Sequence, residues 1–430
     1  MSSVSPARRA AWDVLSAYLL AGPEKGQLGS RQRPFPPGAL RARDKARAQE
    51  LAEGSVKRLG SLGALLSLLA GRRRPRPAGL HAALLLGLYQ LFFDKRTPAR
   101  AAVHESVSLA RIAAGDGGAG FVNALLRRAA EKPELTSWLP EPAPGASVSE
   151  LAAYYSHPEA LVARWISEHG EGQARRLLSI DNEEPHLGLR VNLGRSSPEE
   201  LMERLGREDI AVQPGLHPAA LILERGAVLE TESFKQGRFS IQDPAQLEAV
   251  DLLELAPGLR VLDLCAAPGG KSTAIAEAIH DRGEVFAFDE DASRLSRLSK
   301  ELERLGLASV RILTSGQELE ELAPVDRVLV DAPCTNTGVL ARRAEARWRF
   351  RPSRMQRCLR IQARLIAQGS RFLRSGGLLV YSTCSIEPEE NELLARQAAE
   401  TTGLRLVSVE RLLPETGLRD GAGVAVFKKP

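Results

Sequence analysis

Two cysteines close apolar runs in this chain: residues 328–334 read VLVDAPC and residues 378–385 read LLVYSTCS. Short apolar runs bounded by turn residues are buried strands, so Cys334 and Cys384 both fall at carboxyl ends of strands, the edge where open α/β sheets bind ligands. A lone cysteine is most often core packing. Two at strand ends beside a ligand loop point instead to chemistry. That loop is residues 261–273, VLDLCAAPGGKST, which sets a glycine pair between a buried strand and a helix start. There the backbone can approach a ligand closely and helix N–H groups face it.

Spacing discriminates among three cofactors. A phosphate-cradling loop matches Gly270, Lys271 and Ser272, but Cys265 occupies the position of its first glycine. A dinucleotide fingerprint needs G-x-G-x-x-G, and only adjacent Gly269 and Gly270 are offered. S-adenosylmethionine remains, whose ribose hydroxyls take an acidic residue at the end of the next strand, by analogy with dinucleotide sites. Asp289 stands 19 residues after Gly270 and follows the apolar run 285–288. A loop that merely tightens strand-to-helix packing is the structural alternative.

A methyl donor beside a thiol suggests methylation of a pyrimidine carbon. C5 of cytosine is too weak a nucleophile until something adds to C6 and makes the ring an enamine, and a thiolate can do that. A carboxyl group near N3 and the exocyclic amine would steady the charge that builds on the ring. Asp331 is placed to supply it, with capping of the following turn as its structural alternative.

The elements that must position these groups follow from periodicity. From residue 237 onward strands alternate with helices, which means a parallel, doubly wound sheet, with two more strands at 404–409 and 424–427. Residues 1–131 are helical in period. Residues 132–147 carry four prolines and read as a linker. Residues 148–235 combine helical periods with short strands at 187–193 and 219–223. The expected fold is therefore multidomain: an all-α bundle at 1–135, a small α+β connecting domain at 148–235, and a Rossmann-like α/β domain at 236–430.

Composition excludes other classes. Of 430 residues, 43% are hydrophobic and 26% charged, a globular balance with room for two or three cores. The apolar stretch 82–93 is short of the roughly 20 residues a membrane-spanning helix needs. Residues 1–12 have arginines but no apolar run, so no secretory signal is expected and the cytoplasm is the expected compartment. The four cysteines have no short pairwise spacing, which argues against a disulfide framework and against a structural zinc site; no metal is expected.

The net charge of +5 is unremarkable, but eleven arginines and one acid, Glu345, lie between Arg342 and Arg374. Such a stripe suits an RNA backbone, and Trp348 and Phe350 within it could stack on unpaired bases. Arg342, Arg343, Arg347 and Trp348 are the candidate RNA contacts. The alternative is a solvated helix face with Trp348 turned into the core. A second arginine cluster, residues 71–79 (GRRRPRPAG), is either a solvated loop or a phosphate contact. Because Cys384 could not reach C6 inside a duplex, the target base is expected in a loop or a loosely paired region.

Three stretches together resemble the cytosine-C5 RNA methyltransferases of the NOL/NOP/Sun superfamily: CAAPGGK at 265–271, DAPC at 331–334, and the Thr383-Cys384 pair followed by PEEN at 388–391. The resemblance implies a class I methyltransferase domain with Cys384 as nucleophile and Cys334 assisting release of the methylated RNA. It implies that Cys265, Ala266, Ala267, Pro268, Gly269, Gly270 and Lys271, together with Asp289 and Asp331, hold S-adenosylmethionine. Upstream, LGLYQL at 86–91, AAVHESV at 101–107 and FVNALLRR at 121–128 resemble the NusB-like RNA-binding domain. SHPEALVARW at 156–165, RVN at 190–192 and QD at 242–243 resemble the connecting region of bacterial small-subunit rRNA methyltransferases of the RsmB type. The implied substrate is 16S rRNA or a small-subunit assembly intermediate, handled by a monomer.

The chain departs from that pattern twice. Ser315 stands where the family usually has an Asp contacting the adenine side of the cofactor, and a hydroxyl is the weaker acceptor. Arg343-Ala344-Glu345 replaces the usual Arg-Pro-Asp. Two other function classes fit less well: a thiol hydrolase would want a partnering His, yet none follows His280. A non-catalytic, antitermination-like RNA binder would not need Cys334, Asp331 and Cys384 intact.

Overall fold

A computed structural model of the protein describes residues 4–22, 25, 40–71 and 75–430. Arg72, Arg73 and Arg74, the heart of the 71–79 cluster, lie outside the described residues. The chain divides into two compact units: Met1–Glu183 with Leu340–Arg351, and Glu184–Val339 with Pro352–Pro430.

The first unit is helical. Pro6–Ala21, Ala42–Lys57, Leu59–Ala70, Ala78–Phe92 and Ala99–Ala130 supply most of it. Apolar residues at one-face spacing make its core, with Trp12, Leu15, Leu51, Leu62, Leu84, Leu85 and Leu126 all buried. The helical period that continues through 51–69 is broken at Arg58, and Gly115, at φ +65°, kinks the Ala99–Ala130 helix. Helices Val148–Tyr155 and Glu159–Ile180 also belong to this unit, as does the short helix Ala344–Arg349. Ser147 and Glu150 form a reciprocal capping box that starts the Val148–Tyr155 helix right after the proline-rich linker.

The second unit holds two sheets. Strands β1 (Leu187–Val191), β2 (Ala211–Pro214), β3 (Ala220–Arg225) and β4 (Phe239–Ile241) form an antiparallel sheet in the order β2-β3-β1-β4. Its apolar face packs Leu189, Leu221 and Phe239 against Leu201 and Leu205 of helix Pro198–Arg207.

The larger sheet comprises β5 (Arg260–Asp263), β6 (Glu284–Ala287), β7 (Val310–Ile312), β8 (Val325–Asp331), β9 (Leu373–Thr383), β10 (Arg405–Leu412) and β11 (Ala422–Lys428). Its order is β10-β11-β9-β8-β5-β6-β7. The five strands from β9 to β7 run parallel; β11 runs against β9, and β10, antiparallel to β11, runs in the direction of the five. The central strands are Val/Leu-rich because both faces are covered: Val328 and Val330 on one side, Leu329 and Val380 on the other. Register pairs Asp331 with Ser382, so the ends of β8 and β9 are level. No helix among the described residues is long and apolar enough to cross a membrane.

Candidate active site

The glycine loop follows β5 and opens into helix Gly270–Ala278. Gly269 takes φ +113°, and a Cβ there would sit 2.6 Å from Leu298 Cδ1, so only glycine fits both the backbone and the space. At Gly270 a Cβ would meet nothing nearer than Gln242 at 3.8 Å, which leaves that side of the turn open. Arg190 braces the turn from beneath, donating to the Gly270 carbonyl at 2.7 Å and to Glu277 at 3.0 Å, with Gln242 as a further acceptor.

Asp289, two residues past β6, is buried. It accepts from the Ala267 N–H at 3.2 Å, the Asp291 N–H at 3.0 Å and Arg294 at 3.2 Å. A carboxylate offers roughly four acceptor positions, so one remains for a hydroxyl ligand. Asp263, at the end of β5, is buried and accepts from Ser272 at 2.7 Å. Burial pushes the Asp263 carboxyl up to about 7, against the opposing Ser272 hydrogen bond. Burial likewise drives the Cys265 thiol well above its ordinary value, and its side chain packs partly buried against the sheet core. This cradle, with a spare carboxylate acceptor and an open turn, fits S-adenosylmethionine.

Asp331 ends β8 and is oriented from two sides: Lys271 Nζ lies 2.7 Å from Oδ2, and the Ser382 hydroxyl donates to Oδ1 at 2.9 Å. Lys271 therefore ties the glycine loop to the strand that carries the next motif.

Cys334 and Cys384 converge because β8 and β9 are adjacent, parallel and level. Their sulfurs are 3.2 Å apart. Cys334 is buried and Cys384 is partly exposed. Hydrogen bonding to Cys384 is the largest influence raising the Cys334 thiol well above its ordinary value, and burial adds to it. The Cys384 thiol donates to Asn336 Oδ1 at 3.2 Å. Each cysteine loop is anchored behind the sulfurs. The buried Glu390 carboxylate accepts from the Thr335 N–H at 3.0 Å and from Gln362 at 2.9 Å, and the Thr335 hydroxyl donates to it as well. Asn391 accepts from the Thr383 hydroxyl at 2.9 Å and donates to the carbonyls of Ser385 and Glu387 at 3.0 and 2.8 Å. Burial raises the Glu390 carboxyl, so the fold tolerates it only with this many donors around it.

Ser315 caps helix Gly316–Glu320, accepting from the Glu318 N–H at 3.2 Å, and is exposed.

The arginine-rich segment corrects two expectations. Arg347 is fully buried in the helical unit, where it donates to the carbonyls of Ser156 at 3.1 Å and Asp181 at 2.8 Å and to Asn182 Oδ1 at 3.0 Å. Its guanidinium serves the interior and cannot meet a phosphate. Trp348 donates its indole N–H to the Val56 carbonyl at 2.8 Å and packs against the helical core, so it does not offer a face to bases. The local pattern of a solvated stripe hid this, because burial is decided by partners 165 to 292 residues away. Arg342 is half-buried and Arg343 exposed. The stripe is also divided between the two units after Arg351. In the second unit Arg364, Arg371 and Arg374 pair with Glu290, Glu320 and Asp326, while Arg357 and Arg360 face solvent.

Sequence reasoning missed Asn336, Gln362 and Asp263. Glu390 and Asn391 lay inside the PEEN stretch, but nothing in that motif says that one anchors the Pro-Cys loop and the other the Thr-Cys loop.

Comparison with known proteins agrees with this architecture. Residues 250–416 match the model of the 16S rRNA methyltransferase RsmB/F family, residues 5–131 that of the NusB family, and residues 157–230 that of an RsmF/B-like ferredoxin-like domain. A probable ribosomal RNA small subunit methyltransferase B of Synechocystis is 33% identical over 81% of this chain and 79% of its own length. The corresponding proteins of Bacillus subtilis and Yersinia pestis are 32% and 34% identical, over 80% and 81% of this chain and 77% and 80% of theirs. Among solved structures, PH0851 superposes with a TM-score of 0.78 at 23% identity, covering 99% of both chains, a likeness of fold. A methyltransferase homologue from Pyrococcus horikoshii gives 0.59 at 27% identity, over 67% of this chain and all of its own.

Proposed function

The chain belongs to the family of ribosomal RNA small subunit methyltransferases B, and from that premise we propose that it methylates C5 of a cytosine in 16S rRNA through a covalent Cys384–C6 bond. S-adenosylmethionine is its cofactor and supplies, when bound, an electrophilic methyl group on a cationic sulfur. Asp289 with the loop at 265–271 would hold it, Asp331 bordering the same sheet edge.

The chain's own residues perform the rest. Cys384 sheds its thiol proton and its sulfur adds to C6, which moves the C5–C6 π pair to C5 and makes that carbon nucleophilic. Asp331, fixed by Lys271 and Ser382, orients the N3 and exocyclic amine edge. After methylation the C5 proton leaves, its electron pair restores the double bond, and the sulfur is expelled. Cys334 gives its proton to the departing Cys384 sulfur and takes the one leaving C5. The proton first shed by Cys384 is thus the one released overall.

The observation that carries this reading is the pair of sulfurs 3.2 Å apart at the ends of adjacent strands, with Asp331 on the same edge. Either free rRNA or an assembling small subunit is the substrate, with Arg342 and Arg343 contributing to its binding. Mapping 5-methylcytosine by mass spectrometry in small-subunit rRNA, with and without this protein, tests the reading. One cytosine should lose its methyl group in the absence of the protein; an unchanged map contradicts the proposal.

A further inference from the structure

Asn336 sits two residues after Cys334 with a left-handed backbone, φ +66°, which asparagine tolerates better than other side chains. That turn folds its amide back over the two cysteines. Nδ2 donates to the Cys334 carbonyl at 2.8 Å, and this bond fixes which way the amide faces. The atom presented to Cys384 is therefore Oδ1, 3.2 Å from the sulfur, and a carbonyl oxygen can only accept. The thiol proton of Cys384 is thus directed at Asn336. The 3.2 Å contact between the sulfurs must then be Cys334 donating to Cys384. Gly338 completes the clamp, its N–H donating to the Cys384 carbonyl at 3.0 Å.

We propose that Asn336 is a positioning residue that holds the nucleophile Cys384 in its protonated resting form and directs its proton away from Cys334. An acceptor facing a thiol stabilises the neutral form over the thiolate, so the group sets the pH at which the sulfur becomes reactive. It also orders the two thiols as a directional chain, Cys334 to Cys384 to Asn336. Cys334 then already points its proton at the sulfur that must later depart. The inference rests on the reading of Cys384 as nucleophile for its purpose, but its physical content concerns the free protein.

The test is the pH dependence of iodoacetamide alkylation of Cys384 in the full-length protein, followed by peptide mass spectrometry so that Cys334, Cys265 and Cys358 are scored separately. Asn336→Gly keeps the left-handed backbone and removes the acceptor; it should lower the apparent pKa of Cys384 by about half to one unit, with alkylation at neutral pH roughly three- to ten-fold faster. Asn336→Asp places a carboxylate at the same position and should move the profile the opposite way. Opposite shifts are not produced by a general loosening of the loop. Both variants shifting in the same direction, or neither shifting, overturns the proposal. Methyl transfer measured on the same preparations separates the two readings. An unmoved alkylation profile in a protein that methylates cytosine through Cys384 defeats only the role of Asn336. Full methylation by Cys384→Ser, with the shifts present, defeats only the nucleophile assignment.

Discussion

Gly423 lies on β11 directly opposite Thr383, the residue before the proposed nucleophile. A Cβ at this position would fall 1.7 Å from Asn391 Oδ1 and 2.2 Å from its Cγ, so Gly423→Ala forces that buried amide to move by more than an ångström. Asn391 then loses the Thr383, Ser385 and Glu387 hydrogen bonds that fix the backbone on both sides of Cys384. Three buried hydrogen bonds at ~1 kcal/mol each, with partners left unsatisfied, amount to a loss of ~3–5 kcal/mol. For a unit of this size that lowers the melting temperature by roughly 10 °C. A misplaced sulfur should also cost on the order of 100-fold in methyl transfer. The assay is a cycle with Asn391→Ala, which removes the amide that the new methyl would strike. If the clash with Asn391 is the cause, adding Gly423→Ala to that background costs little, and the two losses fall short of additivity by ~2 kcal/mol or more. Strictly additive losses would refute the packing argument.

Arg347→Met should destabilise the helical unit by ~3 kcal/mol in denaturant titrations, because several buried carbonyls lose their donor, while leaving the salt dependence of RNA binding unchanged. Arg343→Ala should do the reverse, lowering the slope of log affinity against log salt by about 1 with little effect on stability; equal salt slopes in both variants and the parent would remove Arg343 from the interface. Asp263 adds a pH signature. Its folded-state carboxyl, at about 7, lies above the unfolded value of ~3.9, so the folded state binds the proton more tightly. Its contribution is full below about pH 4 and is lost as pH rises toward 7, with a slope of up to ~1.4 kcal/mol per unit. Asp263→Asn should abolish that slope in urea midpoints taken from pH 5 to 7.5, and parallel curves for mutant and parent would contradict it.

What could be read in advance was what local pattern determines. Apolar runs ending in turn residues located β5, β6, β8 and β9, and the motifs at their ends placed the glycine loop, Asp289, Asp331 and both cysteines on one sheet edge. The short strands β2 and β4 carried too little alternation to be seen. Arg347 reads as an exposed RNA contact because a buried arginine in a nest of carbonyls has the same local sequence as a solvated one; for Trp348 the structure bears out the alternative of a ring turned into the core. Asn336 and Gly423 left no periodic signal at all: one acts through a backbone turn, the other through space vacated for a side chain 32 positions earlier. Contacts of that kind belong to tertiary packing, where sequence pattern carries no information about the partner.

The most direct measurement is covalent trapping. Protein, S-adenosylmethionine and small-subunit rRNA are incubated and run on a denaturing gel, and the adduct is digested for peptide mapping. With Cys334→Ser a stable protein–RNA species should accumulate, with the nucleotide attached through the Cys384 sulfur, and Cys384→Ser should give neither adduct nor methyl transfer. Full turnover by Cys384→Ser, or an adduct mapping to any other residue, would contradict the account.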